Sequence, residues 1–257
     1  MNILLNGISG FMGREVVKLC ESNYRGANLA FGVDPSGADG VYRSFDEVTS
    51  VEGVDCIIDF SHHSATPALL DFAVGNSLPL VLCTTGHTDE EISLIHKAAE
   101  SIPLFYSGNM SLGIALLIEL AKTTAAAFPE AEIEIIEKHH DRKVDAPSGT
   151  ALMLANAISE VRPDAYTNCG RSGQGRRTPE EIGIHSIRMG NIVGEHEVII
   201  GTKSQTISLK HEAHNRALFA EGSIAAAGFL IGQRPGMYDM KSMLSTERAT
   251  DAVITAE

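Results

Sequence analysis

Hydrophobic and polar positions follow two different rhythms along this chain. Up to about residue 110, short apolar runs at 2–6, 29–33, 54–60, 78–82 and 104–106 alternate with stretches whose apolar residues recur at helical spacing. The helical stretches follow Gly13 (Val16, Val17, Leu19, Cys20) and cover 65–73 and 89–99, the last with an acidic first turn. Five near-continuous apolar strands separated by helices predict a parallel sheet covered on both faces. A long apolar helix over 111–127 then leads into another pattern. Alternating segments at 132–137, 184–188, 195–200 and 204–211, with one helix at 151–160, predict a mixed or antiparallel sheet packed by helices on one face. The Gly-, Ser-, Gln- and Arg-rich stretch 170–180 reads as a mobile loop. A strongly apolar helix covers 217–231, and residues 236–240 begin the tail.

The first strand stops at Gly7-Ile8-Ser9-Gly10-Phe11-Met12-Gly13 and a helix follows. Glycines in such a turn let the backbone bend and approach a pyrophosphate, which rests on the amides and positive dipole of the helix start. The spacing is GxxGxxG, not GxGxxG, but the context is strand, turn, helix, strand. The second strand ends in Asp34, twenty-one residues after Gly13, where a carboxylate would accept hydrogen bonds from an adenosine ribose. The fold class expected is therefore α/β: an N-terminal Rossmann-type doubly wound parallel sheet, followed by a second α+β domain. Loops around Asp59, around Cys83, Thr84 and Thr85, and around Gly108, Asn109 and Met110 fall at the strand ends where such sheets bind ligands.

Composition narrows the function. The 257 residues are 44% hydrophobic with a formal charge of −13, which argues against general affinity for nucleic acid or an anionic membrane. The charge is uneven. Residues 138–216 hold eleven Lys and Arg against nine Asp and Glu, a net of +2, and six of the ten histidines, while the rest of the chain nets −15. A cationic middle in an acidic protein points to a small anionic substrate. Four scattered cysteines show no CxxC pair, so neither a disulfide framework nor a zinc site is expected. No run reaches membrane-spanning length and the start MNILLNG has no leader pattern, so a soluble, cytoplasmic protein is expected.

The densest chemistry lies in IEIIEKHHDRKVDAPSGTALML, from position 133 to 154. His139 and His140 precede Arg142 and Lys143, and Ser148, Gly149 and Thr150 open a helix. Histidine exchanges protons near neutral pH, and helix-start amides bind carboxylates. The stretch reads as strand, cationic loop and helix start, a place to hold an anion and move a proton. A metal held by His139, His140 and Asp141 fits poorly, because adjacent side chains diverge and no further ligand is suitably spaced.

Residues 137–151, EKHHDRKVDAPSGTA, resemble the signature of the dihydrodipicolinate reductase family. Residues 7–13, 83–86, 107–111, 186–196 and the closing Gly-Met-Tyr-Asp-Met are similar to it as well. The resemblance implies hydride delivery from NADH or NADPH to a cyclic dicarboxylate imine, with loss of water. It implies His139 as proton donor or acceptor and Lys143 as a second donor. His140, Ser148, Gly149 and Thr150 would hold substrate carboxylates. Gly7, Ile8, Ser9, Gly10, Phe11, Met12, Asp34, Cys83, Thr84, Thr85, Ser107, Gly108, Asn109 and Met110 would hold the cofactor. It implies a nucleotide domain of residues 1–110 plus 217–257, a substrate and assembly domain of 111–216, and a homotetramer built through the second-domain sheets. The 133–154 stretch would then meet the nicotinamide, over a hundred residues from Gly10.

Two departures stand out. Cys83 occupies a place where the family typically has glycine. Asp34 is followed by Pro35, not by the arginine that pairs with a 2′-phosphate, which predicts that NADH serves at least as well as NADPH. Two other readings remain at this stage: a silent dinucleotide sensor, and a nicotinamide enzyme acting on another small acid.

Overall fold

The computed structural model describes residues 1–245, so residues 246–257 of the expected nucleotide domain lie outside the described residues. The chain forms two compact units, one of Met1–Ser111 together with the chain from Arg216, the other of Leu112–Asn215.

The first unit begins β1 (Asn2–Asn6), α1 (Phe11–Glu21), β2 (Asn28–Val33), β3 (Val41–Tyr42), β4 (Cys56–Asp59) and α2 (Thr66–Gly75). It continues with β5 (Leu80–Leu82), α3 (Asp89–Ala99) and β6 (Pro103–Tyr106), and closes with α6 (Ala217–Leu230) and β12 (Gly236–Tyr238). The sheet order is β12-β6-β5-β4-β1-β2-β3, every pair parallel. The order reverses beside β1, the position at which doubly wound sheets open a crevice at their carboxyl edge. Alternate residues face opposite layers. Leu4, Ile57, Leu80 and Leu104 pack with Leu69 of α2 and Ile95 of α3, whereas Phe105 meets Phe229 of α6 edge-on. Each such fully buried aliphatic side chain contributes about 1.5–3 kcal/mol. Helix α3 starts on a capping box, Thr88 Oγ1 accepting from the Glu91 amide and Glu91 accepting from the Thr88 amide.

The second unit contains α4 (Leu112–Ala127), β7 (Glu132–His139), α5 (Gly149–Ser159), β8 (Tyr166–Cys169), β9 (Glu181–Arg188), β10 (Gly194–Gly201) and β11 (Thr206–Ala213). Its sheet order is β11-β10-β7-β9-β8. It is mixed: β10 runs antiparallel to β7 and β11, while β9 is parallel to β7 and β8. Ile133, Ile135, Ile182, Ile184, Val198 and Ile200 form one face of this sheet, packed against Leu117 of α4 and Leu154 of α5.

Several expectations are corrected. The first sheet has seven strands, not five, because β3 and β12 were not foreseen. Residues 236–238 are no tail: they pair with β6, Gly236 opposite Pro103. Two or three residues are too few to show a period. Likewise β8 and the start of β9 escaped notice beside a polar stretch. Residues 170–180 lack regular structure, as expected, but arginines anchor them. Arg171 pairs with Glu181 at 3.2 Å, and the Arg177 guanidinium donates to the Ile133 and Glu181 carbonyls.

Candidate active site

In the first unit, the residues expected to hold a nucleotide gather at the carboxyl ends of the strands. Gly7 has a left-handed backbone (φ 81°), and a Cβ at Gly13 would lie 2.2 Å from the Gly7 carbonyl, so α1 approaches the turn as closely as it does only with glycine there. The turn is tied to β2, since the Gly7 amide donates to the Val33 carbonyl and the Ser9 amide to Asp34 Oδ2 at 3.2 Å. Asp34 Oδ1 accepts from the Ser36 amide at 2.9 Å. Burial works to raise the Asp34 pKa, but these hydrogen bonds from Ser36 and Ser9 outweigh it and hold the carboxyl below its ordinary value. Gly7, Gly10 and Asp34 line a cavity of about 720 Å³ with Phe60, His62 and Ala65. Ile8 lies in the same turn, its side chain over Gly32, while Phe11 is exposed with the Arg216 guanidinium 5.4 Å from its ring and Met12 is half-buried.

The other two loops meet at one place. Ser107 Oγ donates to the Asn109 carbonyl, Asn109 Oδ1 accepts from the Ser111 amide, and a Cβ built at Gly108 would stand 3.5 Å from the Thr85 methyl. Met110 is buried against Gly222 of α6. Cys83 is buried, its amide donating to the Asp59 carbonyl; burial, reinforced by Asp59, pushes its thiol up. Its backbone is not left-handed, so the position does not demand glycine. Asp59, at the end of β4, is the tie beneath these loops. Wholly buried, it accepts from Asn6 Nδ2 (2.7 Å), Ser61 Oγ (2.6 Å) and Thr84 Oγ1 (2.6 Å). Burial raises its pKa despite those bonds.

In the second unit, strand parity explains the cluster. Ile133 and Ile135 point into the core, and the next two residues on that face are Glu137 and His139. Across the sheet, Arg188 of β9 stands opposite His139 and His196 of β10 opposite Glu137. The core face thus turns polar at one end, beside the start of α5. Glu137 is fully buried. It accepts a two-pronged bond from Arg188 (2.7 Å each), one from the Ser148 amide (3.1 Å) and one from His139 Nδ1 (2.6 Å). Burial alone would lift its pKa, but the Arg188 fork, then Ser186, His139 and the Ser148 amide, hold it down at about 2. An ionised carboxylate only accepts, so Nδ1 of His139 carries the proton and Nε2 is left for chemistry. Nε2 points toward Gly194, where a Cβ would stand 3.2 Å away. Burial lowers the His139 pKa, with Glu137 opposing, so the neutral ring is favoured.

His196 stacks edge-on to His139 at 5.1 Å and shares a 3.2 Å hydrogen bond between its Nε2 and Ser148 Oγ. Burial, reinforced by His139, pushes its pKa to about 4. Its buried Nδ1 has no partner among the described residues, an arrangement less costly for a bare nitrogen than for an N–H, which assigns the proton to Nε2. Lys143 pairs with Asp145 at 2.8 Å, and the Asp145 carbonyl accepts from Arg188. The His140 amide donates to Ile192 and the Lys143 amide to the His140 carbonyl, so residues 140–143 form a turn, not a helix. Ser148 caps α5, its Oγ accepting from the Ala151 amide. Gly149 is exposed, and among the described residues nothing lies within 4 Å of a Cβ built there, so the backbone at Gly149 faces open space. Glu137, Arg188 and His196 were not picked out for a role. Their signal was charge at core parity on three strands, invisible until the strands are paired.

These features define a class: the nicotinamide-dependent oxidoreductases that pair a doubly wound sheet with a separate α+β unit bearing acid–base side chains. Comparison with known proteins narrows the class to a family. A family model described as dihydrodipicolinate reductase, N-terminus, matches residues 1–110, and one described as dihydrodipicolinate reductase, C-terminus, matches residues 113–244. The chain belongs to the dihydrodipicolinate reductase family. It is 42% identical over 247 residues to the 4-hydroxy-tetrahydrodipicolinate reductase of Caldanaerobacter subterraneus, covering 95% of this chain and 98% of that one. It is 41% identical over 251 residues to the Clostridium tetani protein of the same name, covering 96% and 98%. Among solved structures it is similar to a dipicolinate-bound dihydrodipicolinate reductase from a Paenisporosarcina species, with 25% identity, a TM-score of 0.79, and 93% and 97% of the two chains covered. No helix among the described residues is long and apolar enough to cross a membrane.

Proposed function

We propose that this chain reduces 4-hydroxy-tetrahydrodipicolinate to tetrahydrodipicolinate with NAD(P)H in diaminopimelate and lysine biosynthesis, with His139 and Lys143 moving the protons. The observation that carries the reading is the buried Glu137–His139 pair beside the open start of α5, in a chain matched along its length by reductases of that name. The dipicolinate in the Paenisporosarcina enzyme supports a small planar dicarboxylate as the substrate class.

The cavity in the first unit fits a dinucleotide: glycine backbone at one end for the pyrophosphate, and a fixed, ionised Asp34 for the ribose. Cys83, Thr84, Thr85, Ser107, Gly108, Asn109 and Met110 would hold the nicotinamide half. Reduced nicotinamide, when bound, supplies the hydride. The protein's own groups must remove one proton next to the ring imine, protonate the departing hydroxyl and return a proton to the ring. A neutral His139 with Nε2 free accepts the first proton, and the Glu137 carboxylate on Nδ1 stabilises the imidazolium that forms. The same imidazolium returns the proton after reduction. Lys143 protonates the hydroxyl that leaves as water. His140 and the amides of Gly149 and Thr150 hold carboxylates, with Ser148 fixing the turn through His196 and Glu137.

Asp34 followed by Pro35 supports use of NADH at least as well as NADPH; a kcat/KM for NADPH more than about tenfold above that for NADH overturns this. The family resemblance supports a homotetramer built through the five-stranded sheets and a cytoplasmic setting; sedimentation velocity tests the former. For the reaction itself, the purified protein is mixed with the upstream synthase, pyruvate, aspartate semialdehyde and NADH. Loss of reduced-cofactor absorbance is expected, and none from a folded protein sinks the reading.

A further inference from the structure

We propose that Arg43 is the contact for an adenosine 2′-phosphate, so that the same pocket takes NADPH as well as NADH. The inference rests on the dinucleotide reading of the cavity and adds a residue that decides cofactor choice.

Asp34 and Arg43 occupy equivalent places on adjacent strands. β2 and β3 run parallel with Val33 opposite Tyr42, and the Asp34 amide donates to the Tyr42 carbonyl at 2.8 Å. The next residues along are Asp34 and Arg43, about one strand spacing of 5 Å apart at the carboxyl edge of the sheet. Both line the same cavity. The arginine missing from position 35, next in sequence, is thus present one strand over.

The surrounding backbone makes room for it. The Arg43 side chain folds over Gly37, where a Cβ would stand 2.3 Å from Nε and 3.0 Å from Cζ. Any other residue at Gly37 would push the guanidinium aside. The cavity is otherwise acidic, with Asp34, Asp46 and Asp71 in its lining, and Arg43 is its one Lys or Arg among the described residues. Those acids would repel a 2′-phosphate in the absence of a cation. Yet among the described residues the Arg43 side chain makes no ion pair; only its backbone amide engages a carboxylate, that of Glu47. Asp34, by contrast, is held by the Ser9 and Ser36 amides and keeps its place for a ribose hydroxyl. An unpaired, planar fork beside a fixed ribose acceptor suits a phosphate dianion on that ribose.

The test is the effect of Arg43→Gln on selectivity. Cofactor binding to the substrate-free enzyme is followed by fluorescence titration with NADPH and with NADH, and kcat/KM is measured for each. Losing a charge-assisted, two-pronged phosphate contact is expected to lower the NADPH-to-NADH ratio by about 10- to 100-fold in both measurements. The affinity of the wild-type protein for NADPH should also fall with salt more steeply than that of the variant. An unchanged ratio overturns the proposal, whether both cofactors weaken together or neither does. So does a wild-type protein that binds NADH and not NADPH. A wild-type protein that binds neither cofactor sinks the dinucleotide reading itself, an outcome distinct from a ratio that fails to move.

Discussion

Replacing Glu137 with glutamine keeps the shape of the buried cluster and removes its charge. An acid held at about 2 instead of 4.5 has its ionised form favoured by roughly 3 kcal/mol, with the Arg188 fork the largest favourable contribution, followed by Ser186 and His139. Glu137→Gln should therefore lower the free energy of urea unfolding by about 3 kcal/mol near neutral pH. The sign with pH follows from the depressed folded-state value. The stabilisation is complete above the unfolded value of 4.5 and is lost as pH falls toward 2, so the wild-type and variant curves converge in acid. Catalysis gives a second readout. Without the carboxylate on Nδ1, the His139 pKa falls further, and the acid limb of the kcat/KM profile moves to lower pH. Protonated His139 is also less stabilised, so kcat should drop about 10²-fold. A folded Glu137→Gln enzyme with wild-type kcat and an unmoved acid limb would refute the idea that Glu137 governs the proton on His139.

Three further outcomes follow from the same geometry. His139→Gln and Lys143→Ala should each lower kcat by roughly 10²–10⁴-fold, measured under saturating substrates; normal turnover in both removes them from proton transfer. His196 is kept neutral by burial, at about 4 against an ordinary 6.5, so the unfolded chain takes up its proton first and stability declines as pH falls from 6.5 to 4. His196→Gln, which can still bond Ser148, should flatten thermal stability across that window, and an unaltered pH dependence counts against the assignment. Gly13→Ala places a methyl 2.2 Å from the Gly7 carbonyl and should cost about 1–3 kcal/mol in stability while weakening NADH binding in titrations; unaltered binding would show that the turn can relax.

What the sequence showed and what it hid divide along a physical line. Local periodicity revealed the long helices and the buried strands, because Leu4, Ile57, Val81 and Phe105 sit in short, near-continuous apolar runs. It marked the glycine turn of Gly7, Gly10 and Gly13 as a candidate nucleotide site, and the cluster of His139, His140 and Lys143, by its density, as a candidate site for anion binding and proton transfer. Short pairings escaped it. Val41 and Tyr42 form a strand only because β2 lies beside them, and Gly236–Tyr238 only because β6 does. Arg43 was hidden with them, since its relation to Asp34 runs across two strands and not along one.

The same distinction explains why the residues that support the proposed proton-transfer site were the hardest to see. On β7 a single alternation places Ile133 and Ile135 in the core and then Glu137 and His139, without a change of face. On β9 it carries Ile182 and Ile184 on to Ser186 and Arg188, and on β10 it carries Ile200 and Val198 back to His196 and Gly194. A charge at a core position is unfavourable unless a partner arrives from another strand. Glu137 at core parity therefore required a cation on a neighbouring strand at the matching register, and Arg188, opposite His139, is that cation. Burial, which makes the pair necessary for folding, also fixes the histidine's tautomer and leaves Nε2 uncommitted. Substitutions that relieve the buried charge, such as replacing Glu137 and Arg188 together with Gln and Met, should therefore preserve the fold better than Glu137→Gln alone while leaving turnover low.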